Sequence, residues 1–402
     1  MSSKPPRTTR HPAWEVFGVF LRLGLTSFGG PVAHLGYFRN EFVTRRGWLT
    51  ERAYADLVAL CQFLPGPASS QVGMAIGLLR GGYVGAVAAW LGFTLPSALL
   101  LAAFGLGLAQ GADGVPAGVL HGLKLVAVAV VAQAVWGMAR LFCIRAWQRA
   151  LAVVAAVVLL LQPAVGMQLA VLGVAGLLGL WIAHTPVAGQ HDKTVYPVKP
   201  RTGMALLLLF LILLLGLPWA AQVWPQAALE VFGVFYRVGA LVFGGGHVVL
   251  PLLQAEVVPR GWVSLDTFMA GYGAAQAVPG PLFTFAAFLG AALPGPLGGV
   301  TGALLALVAI FLPSFLLVVG ALPLWEQLRQ SQRVQAALAG INAAVVGLLL
   351  AALIQPVATS ALTSLADLGV VLLALVALMR WRFPAWAVVL GCGVAGWLLG
   401  ML

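Results

Sequence analysis

The sequence predicts an all-α, polytopic membrane protein of about 13 transmembrane segments, built from two inverted (antiparallel) repeats with broken helices. Three observations support this fold class: the composition, the succession of apolar segments and an internal repeat. Hydrophobic residues make up 61% of the 402 residues and charged residues only 8%, with a mean hydropathy of +1.00. Soluble domains carry about 25% charged residues. The composition therefore excludes a cytoplasmic enzyme, a secreted domain and a disordered protein.

The apolar segments are long enough for helices that cross a bilayer, which takes about 20 residues. A polar linker, 184–202, separates two sets of them. We therefore expect a first repeat at 1–183, a linker with an extra transmembrane helix at 184–229, and a second repeat at 230–402. The apolar segments are 14–37, 53–79, 82–109, 118–139, 149–161, 165–183, 203–221, 230–253, 266–292, 297–322, 334–355, 362–379 and 384–401.

The internal repeat is evident from matching residues in the sequence. The stretch EVFGVFLRLGLTSFGG at 15–30 and the stretch EVFGVFYRVGALVFGG at 230–245 are identical at eleven of sixteen positions. Further matches follow in the same order, which indicates a duplication. They pair Arg46-Gly47-Trp48 with Arg260-Gly261-Trp262, 62–67 with 276–281, and Pro96-Ser97 with Pro313-Ser314.

The net charge of +11 reflects basic residues in short loops between apolar segments, which is the positive-inside pattern and not a nucleic-acid site. With a cytoplasmic N-terminus and thirteen spans, 15 basic residues fall inside, Arg80 among them. The odd helix 203–221 then inverts the second repeat. The four arginines that fall outside, in the loop 38–52, are Arg39, Arg45, Arg46 and Arg52. Either 14–37 is re-entrant, or this loop guides an anion at its exit.

Two equivalent arginines, Arg22 and Arg237, lie inside apolar segments. A buried guanidinium costs at least ~2.5–3.5 kcal/mol and needs a partner or an anionic substrate. One interpretation is an internal salt bridge with Glu15 or Glu230, seven residues earlier on the same helical face. The other is an anion site that both halves share, and the duplication of the arginine favours it.

Glycine runs follow each arginine after about two turns, at Phe28-Gly29-Gly30-Pro31 and at Phe243-Gly244-Gly245-Gly246. Glycine weakens a helix and proline stops it. Broken backbone at membrane depth is tolerated in the protein interior or along a cavity. Its free N–H groups can bind an anion. The alternative is a close helix crossing through small residues.

The Pro-Gly-Pro elements, Pro65-Gly66-Pro67 and Pro279-Gly280-Pro281, fall in the middle of two apolar segments. Each second proline suits the first turn of a new helix. Matching interruptions in two halves are the best sequence pointer to a transporter's binding site; the alternative is a plain proline kink. Candidate ligands of an anion at these breaks are the N–H groups and side chains of Gln62, Ser69, Ser70, Gln276 and Thr284.

Two histidines near the glycine runs, His34 and His247, are candidates for proton coupling, although a packing role is an equal alternative. The sequence contains no catalytic triad, no paired catalytic carboxylates, no nucleotide-binding motif and no metal-ligand spacing. We therefore expect neither an enzyme nor a cofactor or metal. The remaining acidic residues at segment ends read as capping or loop charges: Glu41, Glu256, Asp56 and Asp266.

Five motifs resemble the chromate ion transporter family in its long, two-domain form. They are FGGPVAH at 28–34, RRGWLT at 45–50, QFLPGPASSQ at 62–71, FGGGHVVLP at 243–251 and QAVPGP at 276–281. The resemblance implies a multi-pass protein of the bacterial inner membrane that exports chromate and confers chromate resistance. The expected partners are chromate, with sulfate as a competing ligand, and membrane lipid. A homodimer remains an open alternative.

Other functions compatible with the residues are a transporter or exchanger of sulfate or another oxyanion, and a membrane scaffold without transport. A scaffold has no need of mirrored broken helices. Export of a dianion gains ~4.6 kcal/mol per 100 mV, since each charge contributes ~2.3 kcal/mol. The sequence shows no acidic residue at the centre of a span. We therefore expect the membrane potential to be the main driving force.

Overall fold

The computed structural model describes residues 12–109, 116–182, 198–243, 246–325, 328 and 331–401. These residues form helices and no strands, which confirms the all-helical class. Most of the polar linker, as well as Gly244 and Gly245 of the second glycine run, lies outside the described residues.

The first half contains seven helices. They are α1 Pro12–Thr26, α2 Gly30–Phe38, α3 Glu51–Phe63, α4 Ala68–Ala109, α5 Ala117–Phe142, α6 Ala146–Leu161 and α7 Val165–Ile182. A wider helical turn, Arg39–Arg45, extends α2. Helix α4 bends where Gly81 and Gly82 leave the helical conformation. The linker is followed by α8, Pro200–Val223, close to the extra helix predicted at 203–221.

The second half repeats this order. Its helices are α9 Ala227–Leu241, α10 Val249–Val257, α11 Leu265–Ala275, α12 Phe285–Ala291, α13 Gly299–Ala321, α14 Gln332–Ala352, α15 Leu365–Met379 and α16 Ala385–Leu399. Short helical turns at Gly246–Val248 and Leu282–Thr284 precede α10 and α12, and the turn Leu353–Ala358 extends α14.

Five helices of the described chain are long and apolar enough to cross a membrane: α4, α5, α8, α13 and α14, the last two counted with their extensions. The others are shorter. Four segments predicted as single helices, 14–37, 53–79, 230–253 and 266–292, are each divided into two by a break. These four helix pairs are hairpin A (α1 and α2), hairpin B (α3 and α4 up to its bend), hairpin C (α9 and α10) and hairpin D (α11 and α12).

Ion pairs show that hairpins A and B each return to the side from which they start. The Glu15 carboxylate, at the start of α1, lies 3.5 Å from Arg46 Nη1 and 3.3 Å from Arg80 Nη2. Both guanidinium groups also stack on the ring of Trp48, at 5.4 and 5.0 Å. Groups that touch one carboxylate lie on one side of a membrane. The placement of Arg46 and Arg80 on opposite sides of the membrane is therefore wrong.

The last two helices of each half pack against a helix of the other half. Helix α5 packs on α15 and α16, whereas its equivalent, α14, packs on α6 and α7. Glycines permit the close approach: a Cβ at Gly122 would lie 2.1 Å from the Cys392 carbonyl oxygen, and one at Gly340 would lie 2.0 Å from that of Ala175. Small residues let helix backbones pack directly in membranes. The two halves therefore form one interlocked body.

Candidate functional site

The first glycine run forms the tip of hairpin A. Helix α1 ends at Thr26 and α2 begins at Gly30. Gly29 and Gly30 adopt φ angles of +102° and +77°. This left-handed region is costly for any residue with a Cβ, so glycine is required at this bend. The N-terminus of α2 thus begins directly at this bend.

The Pro-Gly-Pro elements form the tips of hairpins B and D, where Gly66 and Gly280 adopt φ angles of +120° and +106°. Helix α3 ends at Phe63, and α4 begins at Ala68, directly after Pro67. In the second half the chain re-enters a helical turn at Leu282, directly after Pro281. The predicted interruption is present in both halves, with a new helical turn after each second proline.

The tips of the two halves are joined by reciprocal backbone hydrogen bonds. The Gly66 N–H donates to the Val242 carbonyl at 2.7 Å, and the Gly280 N–H donates to the Ser27 carbonyl at 3.0 Å. Ser27 and Val242 are equivalent positions, each directly before a Phe-Gly-Gly sequence. Each Pro-Gly-Pro element therefore contacts the glycine run of the opposite half.

Two equivalent serines leave no room for a side chain at these glycines. A Cβ on Gly66 would lie 2.5 Å from Ser314 Oγ, and a Cβ on Gly280 would lie 2.8 Å from Ser97 Oγ. These serines come from α13 and α4, so each again belongs to the half opposite its glycine. The Pro-Ser match in the sequence thus marks a contact between the halves.

Several buried polar atoms near the first Pro-Gly-Pro element have no hydrogen-bond partner among the described residues: Ser70 Oγ, Gln71 Oε1 and Ser314 Oγ. Gln71 Nε2 donates to the Pro65 carbonyl at 2.7 Å. The equivalent of Ser70, Thr284, instead donates its hydroxyl to the Pro281 carbonyl at 2.7 Å. The two breaks are therefore equivalent in backbone and different in side-chain hydrogen bonding.

The two histidines occupy different environments. His34 is 1% exposed, with Nδ1 3.3 Å from Ser69 Oγ and Nε2 3.2 Å from the Ser27 carbonyl oxygen. Both ring nitrogens are thus engaged inside the protein, as a packing histidine requires. His247 Nδ1 lies 3.0 Å from the Tyr272 hydroxyl, and its Nε2 faces Gly30.

A cavity of about 380 Å³ lies between the tips of hairpins A and D. Seven predicted site residues line it: Phe28, Gly29, Gly30, Pro31, His247, Gln276 and Gly280. Sequence reasoning missed Tyr37, Gln133 and Arg382, which also line it. These three lie on a helix face or in a loop with no distinguishing motif.

The other predicted site residues do not line this cavity. Among them, Pro65, Gly66, Pro67, Ser69 and Ser70 lie at the tip of hairpin B or in the first turn of α4. Gly246 lies close by, since a Cβ there would be 3.6 Å from Pro31. The remainder of those described are Arg22, His34, Gln62, Arg237, Phe243, Pro279, Pro281 and Thr284.

The arginines Arg22 and Arg237 are not brought together as a pair. Arg237 Nε donates to Glu256 at 3.0 Å, and Arg260 donates to the same carboxylate. Glu256 is 2% exposed, so its prediction as a capping or loop charge is wrong. The salt-bridge interpretation therefore holds for Arg237, but its partner is Glu256 instead of Glu230. Arg22 is exposed, and its guanidinium has no partner in the described part of the chain.

An equivalent network holds the base of hairpin A. Arg46 Nε donates to Glu41 at 2.6 Å, and Arg45 donates to the same residue at 3.1 Å. Burial alone would raise the pKa of Glu41, but the hydrogen bonds from Arg46 and Arg45 outweigh it and hold that pKa below its usual value. Arg39 pairs with Glu51 at 2.6 Å. Arg39, Arg45 and Arg46 are thus all held in ion pairs.

Two further acidic residues pair across the halves. Asp266 accepts from Lys124 at 2.9 Å. Asp367 is 2% exposed, lies 2.7 Å from His121 Nε2, and caps α15 through Thr363 and Ser364. The Ser-x-x-Asp spacing is a capping signature that the sequence carries. Glu256 and Asp367 show that the chain does bury carboxylates, each with a basic partner.

Comparison with known proteins now identifies the family. A family model described as chromate transporter matches residues 14–180 and 229–397. The chain belongs to the chromate transporter family. Family membership places it among transport proteins and not among enzymes.

Curated relatives cover nearly the full chain. The chromate transport protein of Pseudomonas aeruginosa is 28% identical over 96% of this chain and 92% of its own length. That of Cupriavidus metallidurans is 28% identical over 93% of this chain and 91% of its own. A probable chromate transport protein of Synechococcus elongatus shows the same identity over 92% of this chain and 91% of its own. No solved structure matches the chain.

Proposed function

We propose that this protein exports chromate from the cytoplasm across the bacterial inner membrane and thereby confers chromate resistance. The observation that carries the proposal is the meeting of helix breaks from both halves beside a cavity. We take chromate as the substrate because relatives of this chain are named chromate transport proteins. Sulfate, another tetrahedral dianion, is the competing ligand.

The physical reason lies in the unwound backbone at the tips. Helix breaks at membrane depth persist where they are buried in protein or line a polar cavity. The N-terminus of α2 begins at Gly30, on the cavity wall. Helix N-termini present free N–H groups and a partial positive charge, both of which favour an anion. A scaffold has no use for such an opening.

From the hairpins we also propose a path of the chain through the membrane. Hairpins A and B enter and leave on the cytoplasmic side, and α8 inverts the second half, so hairpins C and D enter from the outside. Nine segments then cross: α4 beyond its bend, α5 to α8, and α13 to α16. Of the 22 basic residues, 18 fall inside, only Arg260 falls outside, and three lie within helices. This satisfies the positive-inside rule better than thirteen spans do.

The experiment that tests the function is chromate uptake into inverted membrane vesicles, with right-side-out vesicles as the control for direction. We expect saturable uptake into inverted vesicles that sulfate inhibits. Saturable uptake of sulfate without uptake of chromate would reassign the substrate. The absence of saturable transport of either anion would refute the proposed function.

A further inference from the structure

We propose that the cavity between hairpins A and D is the anion site and that Arg382 is its cationic ligand. This inference rests on the proposed function and adds a residue outside every motif of the sequence. Arg382 lies in the loop that connects α15 to α16. Its side chain lines the cavity together with His247, Gln133 and the glycine run of hairpin A.

The backbone holds Arg382 in an unusual conformation. Its φ angle is +55°, and it is the one non-glycine residue of the described chain with a positive φ. A residue with a Cβ pays a steric cost in this region, and such costs concentrate at functional sites. Neither Arg380 nor Trp381, the two residues before it, lines the cavity. Of the two arginines in this loop, only Arg382 therefore lies at the cavity.

Within the part of the chain that the structure describes, the charge of Arg382 is not compensated. Among the described residues its guanidinium has no hydrogen bond and no ion pair, in contrast with Arg46, Arg237 and Arg260. The described residues that line the cavity include no aspartate or glutamate. Arg382 is exposed at this cavity, and a cavity with one unpaired cation and no acid attracts an anion.

The size of the cavity suits a hydrated oxyanion. A volume of about 380 Å³ equals the liquid volume of on the order of ten water molecules. A tetrahedral dianion can therefore bind at Arg382 and keep several of its waters. The Gln133 side chain, the imidazole of His247 and the N-terminus of α2 add hydrogen-bond donors to the same wall.

The equivalent position in the other half lacks this charge. A smaller cavity of about 200 Å³ lies beside the loop between α6 and α7. Its described lining has no charged side chain, and the loop carries Gln162 and Pro163 where the second half has Trp381 and Arg382. The duplicated fold therefore provides one cationic anion site per chain, not two.

The test compares two arginines of one loop in proteoliposomes. We expect Arg382→Gln to raise the KM for chromate at least tenfold and Arg382→Lys to retain part of the affinity. Arg380→Gln removes the same charge two residues earlier and serves as the matched control, with an unchanged KM. An unchanged KM in Arg382→Gln, or the same rise in both Gln variants, would overturn the inference.

A second measurement covers the case in which Arg382→Gln fails to insert. Arg382→Cys, in a background without the three native cysteines, is modified with a thiol reagent that adds an ammonium group or one that adds a sulfonate. We expect transport to return with the ammonium and to stay low with the sulfonate. Equal rates after both modifications would refute a charge role. Wild-type protein that transports no oxyanion would instead refute the proposed function.

Discussion

The proposed path through the membrane can be tested at two positions, because it places each of them on the side opposite to the one that thirteen spans require. Thirteen spans place Thr44 outside and Ser264 inside, whereas the hairpin arrangement places Thr44 inside and Ser264 outside. Both residues are exposed, Thr44 in the extension of α2 and Ser264 at the N-cap of α11. Single cysteines at these positions, in a chain without Cys61, Cys143 and Cys392, report the side directly.

The lengths of the arms are compatible with a return inside the membrane. At ~1.5 Å per residue, the 15 residues of α1 and of α9 reach about 22 Å, and the 13 residues of α3 reach about 20 Å. The hydrocarbon core is ~30 Å thick. An arm of this length fits inside the membrane together with its tip. Length alone does not distinguish the arms from α15 and α16, which also have 15 residues each, so the return is inferred from the ion pairs of Glu15. The 24 residues of α8 reach about 36 Å and do cross.

The assay labels intact cells and inverted vesicles with a thiol reagent that does not permeate membranes. We expect Thr44→Cys to react only in inverted vesicles and Ser264→Cys to react only in intact cells. The reverse pattern at both positions would restore thirteen spans and refute the reasoning from the ion pairs of Glu15. Labelling of both positions from one side would refute the inversion of the halves.

Three further outcomes follow from the contacts. Glu256→Gln leaves Arg237 and Arg260 without their buried carboxylate and should cost about 3–5 kcal/mol, seen as a lower melting temperature in detergent. The exposed Arg39–Glu51 pair provides the control, because Glu51→Gln should cost less than about 1 kcal/mol. Gly280→Ala should abolish chromate uptake, because the new Cβ would contact Ser97 and the residue has a φ angle of +106°. Gly18→Ala is the control: its Cβ would have no neighbour within 4 Å, so this variant should transport normally. Normal uptake by Gly280→Ala would show that the tip tolerates rearrangement. Export should stop when a potassium ionophore clamps the membrane potential and continue when only the pH gradient is removed; the opposite result would assign His247 a coupling role.

Local features were predictable from sequence because their causes are local. Proline and glycine end helices through their own backbone conformation, so the helix breaks at Gly29 and at both Pro-Gly-Pro elements were predicted from the sequence. The exchange of contacts between the halves was not, since it depends on hydrogen bonds such as that between Gly66 and Val242, which are far apart in the chain.

Four segments were predicted as single helices for a physical reason. Hydropathy measures how apolar a segment is and how long, and 14–37 has the length of one span. Two short arms that turn at Gly29 give the same signal. Only the contact of Glu15 with Arg46 and Arg80 reveals the return. Arg382 was missed for a similar reason, because in the sequence it is indistinguishable from Arg380 as a loop charge.

Some features of this fold are present in both halves, and others in only one. The bases of hairpins A and C are held by equivalent ion pairs, Glu41 with Arg46 and Glu256 with Arg260. The tips are joined by equivalent backbone hydrogen bonds. Groups that hold the bases of the hairpins and join their tips are therefore present twice, whereas the unpaired cation beside the tips, Arg382, is present once. One anion site needs its cation only once, and among the described residues that line the two cavities only the second half supplies it.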